Sequence, residues 1–385
     1  MEIPRITCSL FGAIKAAATL KNTVILVHGP RGCVYHINYI LGLRGDRHIP
    51  VYCTGMDEHD VVFGAEERLR QAILDLDREK KPEIMVVLSC CASGIIGEDV
   101  ENACRAARTR ARVLHIEAGG FSGNFTDGYA KTLLSIVREL AEPVHEQRPG
   151  TVNLIGMLRA GPDLREIRDL LSLLDLRIGV VVPAGASCDQ LKQIGSACLN
   201  IVICETSGLP TAEYLLQRFK TPYIRTVFPV GTALSREFLQ KTASALGISP
   251  VPTLPDTSEK AGLLSRPPRI ALFSGPTRAL ALGRFLSSQG IAPVLIVLDF
   301  ETPLIEEIKT AAGSGCSVAV SPGWDAIEDL IRAHGIDILI GGLMERPIAA
   351  TLNLPLIDVM HGSQRTAGAT GGEAILTMIR NCMPH

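Results

Sequence analysis

An α/β fold made of parallel sheets flanked by helices is what this sequence predicts, and three observations predict it. Short β-branched runs recur along the chain, most are separated by about 10 to 15 residues of helical periodicity, and two polar, proline-bearing breaks divide the pattern. Strands that alternate with helices form parallel sheets covered on both faces. The strand candidates are Thr23–Val27, Ile84–Leu88, Val113–Ile116, Val152–Ile155, Ile178–Val182, Leu199–Ile203, Arg269–Phe273, Pro293–Leu298, Asp337–Ile340 and Pro355–Ile357. Helical periodicity marks Glu98–Arg108 and Asp163–Leu174 between them. The breaks fall at 142–151 and at 249–268, and each block restarts with a strand. Three Rossmann-like domains follow, over 1–148, 149–260 and 261–385.

Composition narrows the function. The 385 residues carry 38 Lys+Arg against 40 Asp+Glu, a net charge of −2. That balance argues against a nucleic-acid protein held by a broad basic face and against a polybasic membrane surface. No apolar run approaches the roughly 18 residues of a spanning helix, and the first residues, MEIPRITC, lack the pattern of a signal peptide. The expectation is a cytoplasmic protein with no nucleic-acid and no membrane partner. Aromatic residues are only 4% of the chain, too few for stacking platforms.

The nucleotide fingerprints of parallel-sheet proteins are missing. There is no GxxxxGK[ST], so no P-loop, and the glycine clusters at Gly313-Ser-Gly315 and Gly371-Gly372 lack GxGxxG spacing. No nucleotide is expected to bind directly. HExxH and CxxC are absent too, which removes the common zinc spacings and the bacterial ferredoxin run.

Eleven cysteines remain to be explained. In a reducing compartment they are not a disulfide framework; they are buried small hydrophobes or metal ligands. Cys33 ends His28-Gly-Pro-Arg-Gly-Cys33, directly after a strand. Cys91 lies in Ser89-Cys-Cys91-Ala-Ser-Gly94-Ile-Ile-Gly97-Glu-Asp99, directly after another, and Cys8 precedes the first helix. Parallel sheets place ligands at the carboxyl ends of their strands. Glycines such as Gly32 and Gly94 let backbone approach a bulky group, and thiolates are the ligands of iron–sulfur clusters.

These residues resemble the nitrogenase component 1 family. The likeness is carried by Cys8, His28-Gly-Pro-Arg-Gly-Cys33, Cys53-Thr-Gly-Met-Asp-Glu58-His-Asp-Val-Val-Phe-Gly64 and Cys91-x5-Gly97-Glu-Asp99. It continues through Gly119-Gly-Phe-Ser-Gly-Asn124, Val152-Asn-Leu-Ile-Gly156, Leu199-Asn-Ile-Val-Ile-Cys204 and Leu352-Asn-Leu-Pro-Leu-Ile-Asp358 to Gly372. The resemblance implies three Rossmann-like domains in a component 1-like arrangement and a dimeric core. It also implies a P-cluster-like centre at a subunit interface, either 8Fe–7S or 4Fe–4S. The cluster ligands fall on Cys8, Cys33 and Cys91, with Cys90 as the register rival of Cys91. The implied partners are a second component 1-like subunit, sister chain or itself, and a separate NifH-like, ATP-hydrolysing 4Fe–4S reductase. The missing P-loop agrees, since the partner would couple ATP.

The family's catalytic subunits hold an active-site cofactor with one Cys and one His. The Cys position matches Cys204; the His position falls on Ala367, or on Gly368 after a one-residue slip, and His361 is out of register. Dinitrogen reduction on a cofactor within this chain is therefore not expected. Two subfamilies remain: the β-type subunit of a methylthio-alkane reductase-like enzyme, which reduces a C–S bond, and the homodimeric reductive cyclase of nickel tetrapyrrole biosynthesis. A cofactor-assembly scaffold is a third reading, and the protochlorophyllide reductase branch fits less well. Asp99 opens a helix as a dipole partner, and Glu58 and Asp60 are solvated or capping. Arg31 steers an acidic partner or reaches solvent. Cys53, Cys104, Cys188, Cys198, Cys316 and Cys382 are packing residues.

Overall fold

A computed structural model describes residues 7–43, 49–144, 146–158, 161–254, 266–360 and 364–383. Thirteen strands form three sheets among them. The first holds β1 (Thr23–His28), β2 (Val51–Cys53), β3 (Ile84–Ser89) and β4 (Arg112–Glu117) in the order β2-β1-β3-β4. The second holds β5 (Arg148–Met157), β6 (Arg177–Pro183), β7 (Ala197–Val202) and β8 (Tyr223–Arg225) in the order β6-β5-β7-β8. The third holds β9 (Ile270–Ser274), β10 (Leu295–Leu298), β11 (Ser317–Val320), β12 (Ile338–Gly341) and β13 (Leu356–Asp358) in the order β11-β10-β9-β12-β13. Neighbours β1 and β3, β3 and β4, β5 and β7, and β9 with β10 and β12 all run parallel. This is the predicted α/β architecture.

Each sheet has a point where strand order reverses, and ligands of open α/β sheets bind at such switch points. In the first sheet it lies between β1 and β3, which pair from Thr23 opposite Ile84 to His28 opposite Ser89. All six residues of β3 are buried, as a central strand covered by helices on both faces requires.

By backbone contacts the chain divides into two units, Thr7–Arg159 with Gly179–Tyr223, and Ala160–Ile178 with Ile224–His385. The first contains the β1–β4 sheet and most of the β5–β8 sheet; the second contains β9–β13. Strand β5 starts at Arg148, inside the polar break at 142–151, while residues 255–265 of the second break lie outside the described residues.

Packing in the first unit follows from residue spacing. Helix Glu66–Lys80 buries Leu69, Ile73 and Leu76 on one stripe. They pack with Val24, Leu26, Met85 and Val87 of the sheet and with Val100, Ala103 and Cys104. Cys104 is thus a packing residue, and burial pushes its thiol up to about 12. Helices Ser9–Ala17 and Phe125–Leu140 meet backbone to backbone. A Cβ on Gly12 would overlap the carbonyl oxygen of Phe125, and one on Gly128 would overlap that of Ser9.

Candidate iron–sulfur site

The β1/β3 switch point gathers the cysteines. Cys33 is the third residue of helix Arg31–Leu43, which follows β1 across Gly29 and Pro30. Cys90 and Cys91 follow β3 and open the short helix Cys91–Ile95. Cys8 caps helix Ser9–Ala17 and is exposed. Two backbone bonds pin it: Ser9 N–H donates to Gly123 O at 3.1 Å, and Phe125 N–H donates to Thr7 O at 2.8 Å.

Gly120 joins Cys8 to Cys91. Its N–H donates to Cys91 Sγ at 3.0 Å. A Cβ there would stand 3.3 Å from Cys91 Sγ and 3.6 Å from Cys8 Cβ, so a side chain would crowd both. The neighbouring Cys90, then burial, then the thiols of Cys91 and Cys8 hold the Cys33 thiol well above the ordinary cysteine value. Cys90 takes the opposite shift. The neighbouring Cys33 thiol first, and then the N–H groups of Ser93 and Ala92, lower it to about 6 against the effect of burial. Cys53 Sγ donates to Gly29 O at 3.2 Å and is pushed up, chiefly by burial, with the Gly55 backbone and, less, Arg31 pulling the other way and Cys90 adding to the rise.

The structure therefore brings Cys8 and Cys91 together at Gly120, sets Cys33 on the adjoining helix after β1, and adds two nearby thiols, Cys90 and Cys53, that the sequence pattern assigned otherwise. Cys90 is only 2% exposed, and a Cβ on Gly29 would overlap its sulfur. Adjacency of β1 and β3 creates this contact, and strand order is not written in local spacing. The signal for Cys53 was its place at the carboxyl end of β2, a strand the pattern did not reveal.

Behind the thiols lies a buried polar network. His28 Nε2 is 2.7 Å from Glu98 Oε2, and His28 Nδ1 is 3.1 Å from Thr54 Oγ1. Gly29 N–H donates to Thr54 Oγ1 at 3.1 Å, and Ala65 N–H donates to Glu98 Oε1. His28 O accepts from Cys90 N–H at 3.2 Å and from Ser93 Oγ at 3.2 Å. The network fixes both cysteine loops. Its sequence signal was a histidine ending an apolar strand and a Gly97-Glu98 step read only for register.

Gly32 and Gly94 are exposed, and a Cβ on either meets no atom of this chain within 4 Å. Their lack of a side chain is not demanded by packing inside the chain. The surface nearby in sequence is apolar: Tyr35 on the Cys33 helix, Ile95 on the Cys91 helix, and Phe121 beside Gly120 are 75%, 70% and 84% exposed. Val62 and Phe63 on helix Glu58–Phe63 are exposed as well. Exposed apolar surface of this kind marks interaction sites.

The remaining residues divide cleanly. Asp57 and Asp60 form a capping box at helix Glu58–Phe63, Asp60 also pairs with Arg68 at 3.2 Å, and Glu58 is exposed. Asp99 caps helix Val100–Ala106 by accepting from Asn102 N–H. Arg31 lies across Gly55. Cys204 caps helix Glu205–Phe219 at the switch point of the second sheet. Ala367 is fully buried, and its N–H donates to Asp163 Oδ1 at 2.9 Å. The same carboxylate accepts from Thr366 N–H at 2.7 Å and pairs with Arg278 at 3.3 Å. His361 lies outside the described residues.

The donor set fits an iron–sulfur cluster. It is made of thiols, the ligand type such clusters use, and backbone N–H groups reach the sulfurs, as at Gly120. Among the described residues no three His, Cys, Asp or Glu side chains converge as a single metal ion requires. A cluster several atoms across holds its thiolates further apart than one ion does. No helix among those residues is long and apolar enough to cross a membrane.

Comparison with known proteins identifies the family. The model of the nitrogenase component 1 type oxidoreductase family matches residues 8–383. Among curated relatives, a light-independent protochlorophyllide reductase subunit of Methylobacterium sp. (strain 4-46) is 26% identical, covering 89% of this chain and 71% of its own length. The nitrogenase iron-molybdenum cofactor biosynthesis protein NifE of Clostridium pasteurianum is 26% identical over 94% of this chain and 83% of its own. Among solved structures, one described as nitrogenase Cp1 at pH 6.5 superposes with a TM-score of 0.84 at 21% identity. It covers 99% of this chain and 93% of the other. With the family model spanning all but a few residues, the chain belongs to the nitrogenase component 1 type oxidoreductases.

Proposed function

We propose that this chain is the electron-relaying subunit of a two-component, nitrogenase-like reductase, with Cys8, Cys33 and Cys91 as thiolate ligands of an iron–sulfur centre. The observation that supports this reading is the approach of Cys8 and Cys91 to Gly120 at the β1/β3 switch point, with Cys33 on the adjoining helix that follows β1. A bound cluster accepts and releases single electrons at low potential. The chain's own part is to position the thiols, to aim N–H groups at sulfur, and to bury one side of the site, all of which tune potential.

The open side, with Tyr35, Ile95 and Phe121 exposed around it in sequence, suits a second component 1-like subunit that completes the ligand set. A NifH-like, ATP-hydrolysing reductase supplies the electrons. The substrate reading is a β-type role in a methylthio-alkane reductase-like enzyme. Its support is Ala367: the position of the family's cofactor histidine holds a buried methyl group whose N–H is bound to Asp163, so the cofactor belongs to a sister chain. A second reading, reduction of a tetrapyrrole by a homodimer, is favoured by the likeness to a protochlorophyllide reductase. The likeness to a cofactor-biosynthesis protein favours a scaffold.

The test is iron and acid-labile sulfide per chain, on protein co-expressed with its genomic neighbours and purified without oxygen. About four irons per chain support a shared P-cluster-sized centre, and about two support one cubane bridging two chains. Cys8→Ala and Cys91→Ala lose iron and electron transfer. Wild-type protein with no iron, or variants that keep it in full, overturn the assignment.

A further inference from the structure

Three helices of the second unit leave a cleft between them. Helix Gly231–Leu246 starts there, helix Pro276–Ser288 ends there, and helix Gly368–Cys382 passes with its first turns. Their approach depends on two glycines. A Cβ on Gly372 would stand 2.9 Å from Gly231 Cα and 3.0 Å from the Phe285 ring. One on Gly231, whose φ is +68°, would come within 2.7 Å of the same ring. The Gly371-Gly372 pair, which lacks nucleotide-binding spacing, thus serves helix packing at Gly372. The cleft holds about 160 Å³. A cavity of about 150 Å³ accepts a ring of six carbons, so a molecule of that size suits it.

The wall is mostly apolar, with Val230, Leu234, Phe285 and Leu376. Two polar groups on it lack partners. Gln289 donates from Nε2 to Ser288 Oγ at 3.3 Å, while its Oε1 is closed off from solvent and accepts no hydrogen bond. Glu373 is exposed and forms no ion pair among the described residues. The other charged side chain on the wall, Arg284, is already bound to Glu237 at 2.6 Å. A shielded acceptor without a donor is costly and is relieved by a ligand that brings an N–H. An unpaired carboxylate favours a ligand whose N–H groups carry positive charge.

We infer that this cleft binds a small primary ammonium ion with an apolar body of about four to six carbons. The ammonium donates to Gln289 Oε1 and to the Glu373 carboxylate, and the apolar body lies against Phe285 and Leu376. The site does not rest on the proposed function. All its residues belong to the second unit, whereas Cys8, Cys33 and Cys91 belong to the first.

The test is calorimetric titration of the full chain with n-butylammonium chloride at fixed ionic strength. Sodium butyrate and n-butanol, which share the apolar body without the positive charge, are the controls. Saturable binding of butylammonium to one site is expected, with both controls weaker by about tenfold or more. Glu373→Gln keeps the apolar wall and removes the charge at an exposed position, so it folds and loses about tenfold or more in affinity. Ala369→Leu places a larger side chain on the cleft wall and is expected to abolish binding. Titration without saturation, butyrate binding as tightly as butylammonium, or unchanged affinity in Glu373→Gln overturns the inference.

Discussion

Glu98 Oε2 lies 2.7 Å from His28 Nε2, and both side chains are closed off from solvent. The pair joins the end of β1 to the loop after Gly97, and through Ala65 N–H and Thr54 it also holds the segment leading out of β2. Removing one member leaves the other buried without its partner, which costs far more than the net worth of the contact. Glu98→Ala is expected to destabilise the metal-free chain by about 2 to 5 kcal/mol, read from urea unfolding. Iron per chain should fall with it, because the Gly29 loop that seats Cys90 loses its tether. A change smaller than about 0.5 kcal/mol, the range of an ordinary surface substitution, would sink the argument.

Gly32 and Gly94 make the opposite prediction. A methyl group added at either would have no atom of its own chain within 4 Å, and neither residue has the positive φ that favours glycine. In a helix, alanine is better than glycine by roughly 0.5 to 1 kcal/mol. Gly32→Ala should therefore leave the metal-free chain as stable as before or slightly more so. If the space beside it belongs to a cluster or a partner subunit, the same methyl group lowers iron content or dimer yield. Unchanged stability with unchanged iron and assembly would show that the position is merely solvated.

Gly12 and Gly128 set how closely helices Ser9–Ala17 and Phe125–Leu140 approach. Each added Cβ would overlap a backbone carbonyl of the facing helix, and backbone cannot rotate away as a side chain can. Gly12→Ala is expected to cost about 1 kcal/mol at the least, and about 3 kcal/mol if the helices do not part. The shift is transmitted to Cys8, four residues earlier at the helix cap. The check is thermal unfolding together with the alkylation rate of Cys8. Gly42→Ala, which meets nothing within 4 Å, serves as the control.

All ten strands expected from β-branched runs are present, most with ends moved by a residue or two. Three strands were not legible: β2, β8 and β11. Each is an edge strand of three or four residues, and none of their residues is buried. An edge strand is held by one neighbour and carries little apolar contrast, so local pattern does not announce it. The same limit explains the site. Cys33 and Cys91 were legible because each follows a buried, strongly apolar strand. Cys90 against Gly29, and Glu98 against His28, depend on β3 lying beside β1 across some sixty residues, a pairing that only the assembled sheet reveals.

His115 gives a pH prediction away from the thiols. It lies on β4, with Nε2 3.0 Å from Ser89 Oγ and Nδ1 3.3 Å from Glu101 Oε2. Burial holds its imidazole below the ordinary histidine value, while the Glu101 carboxylate pulls the other way. The unfolded chain takes up this proton near pH 6.5, and the folded chain takes it up only at lower pH. In between, the unfolded state holds more protons, so the contribution is fully present above about pH 6.5 and is lost as pH falls through the window. His115→Gln removes that dependence and keeps a polar group beside Ser89. Urea midpoints measured at several pH values from neutral downward should therefore fall less steeply in His115→Gln than in the unsubstituted chain. Equal slopes would mean that the folded chain protonates His115 as readily as the unfolded one, and that Glu101 offsets its burial.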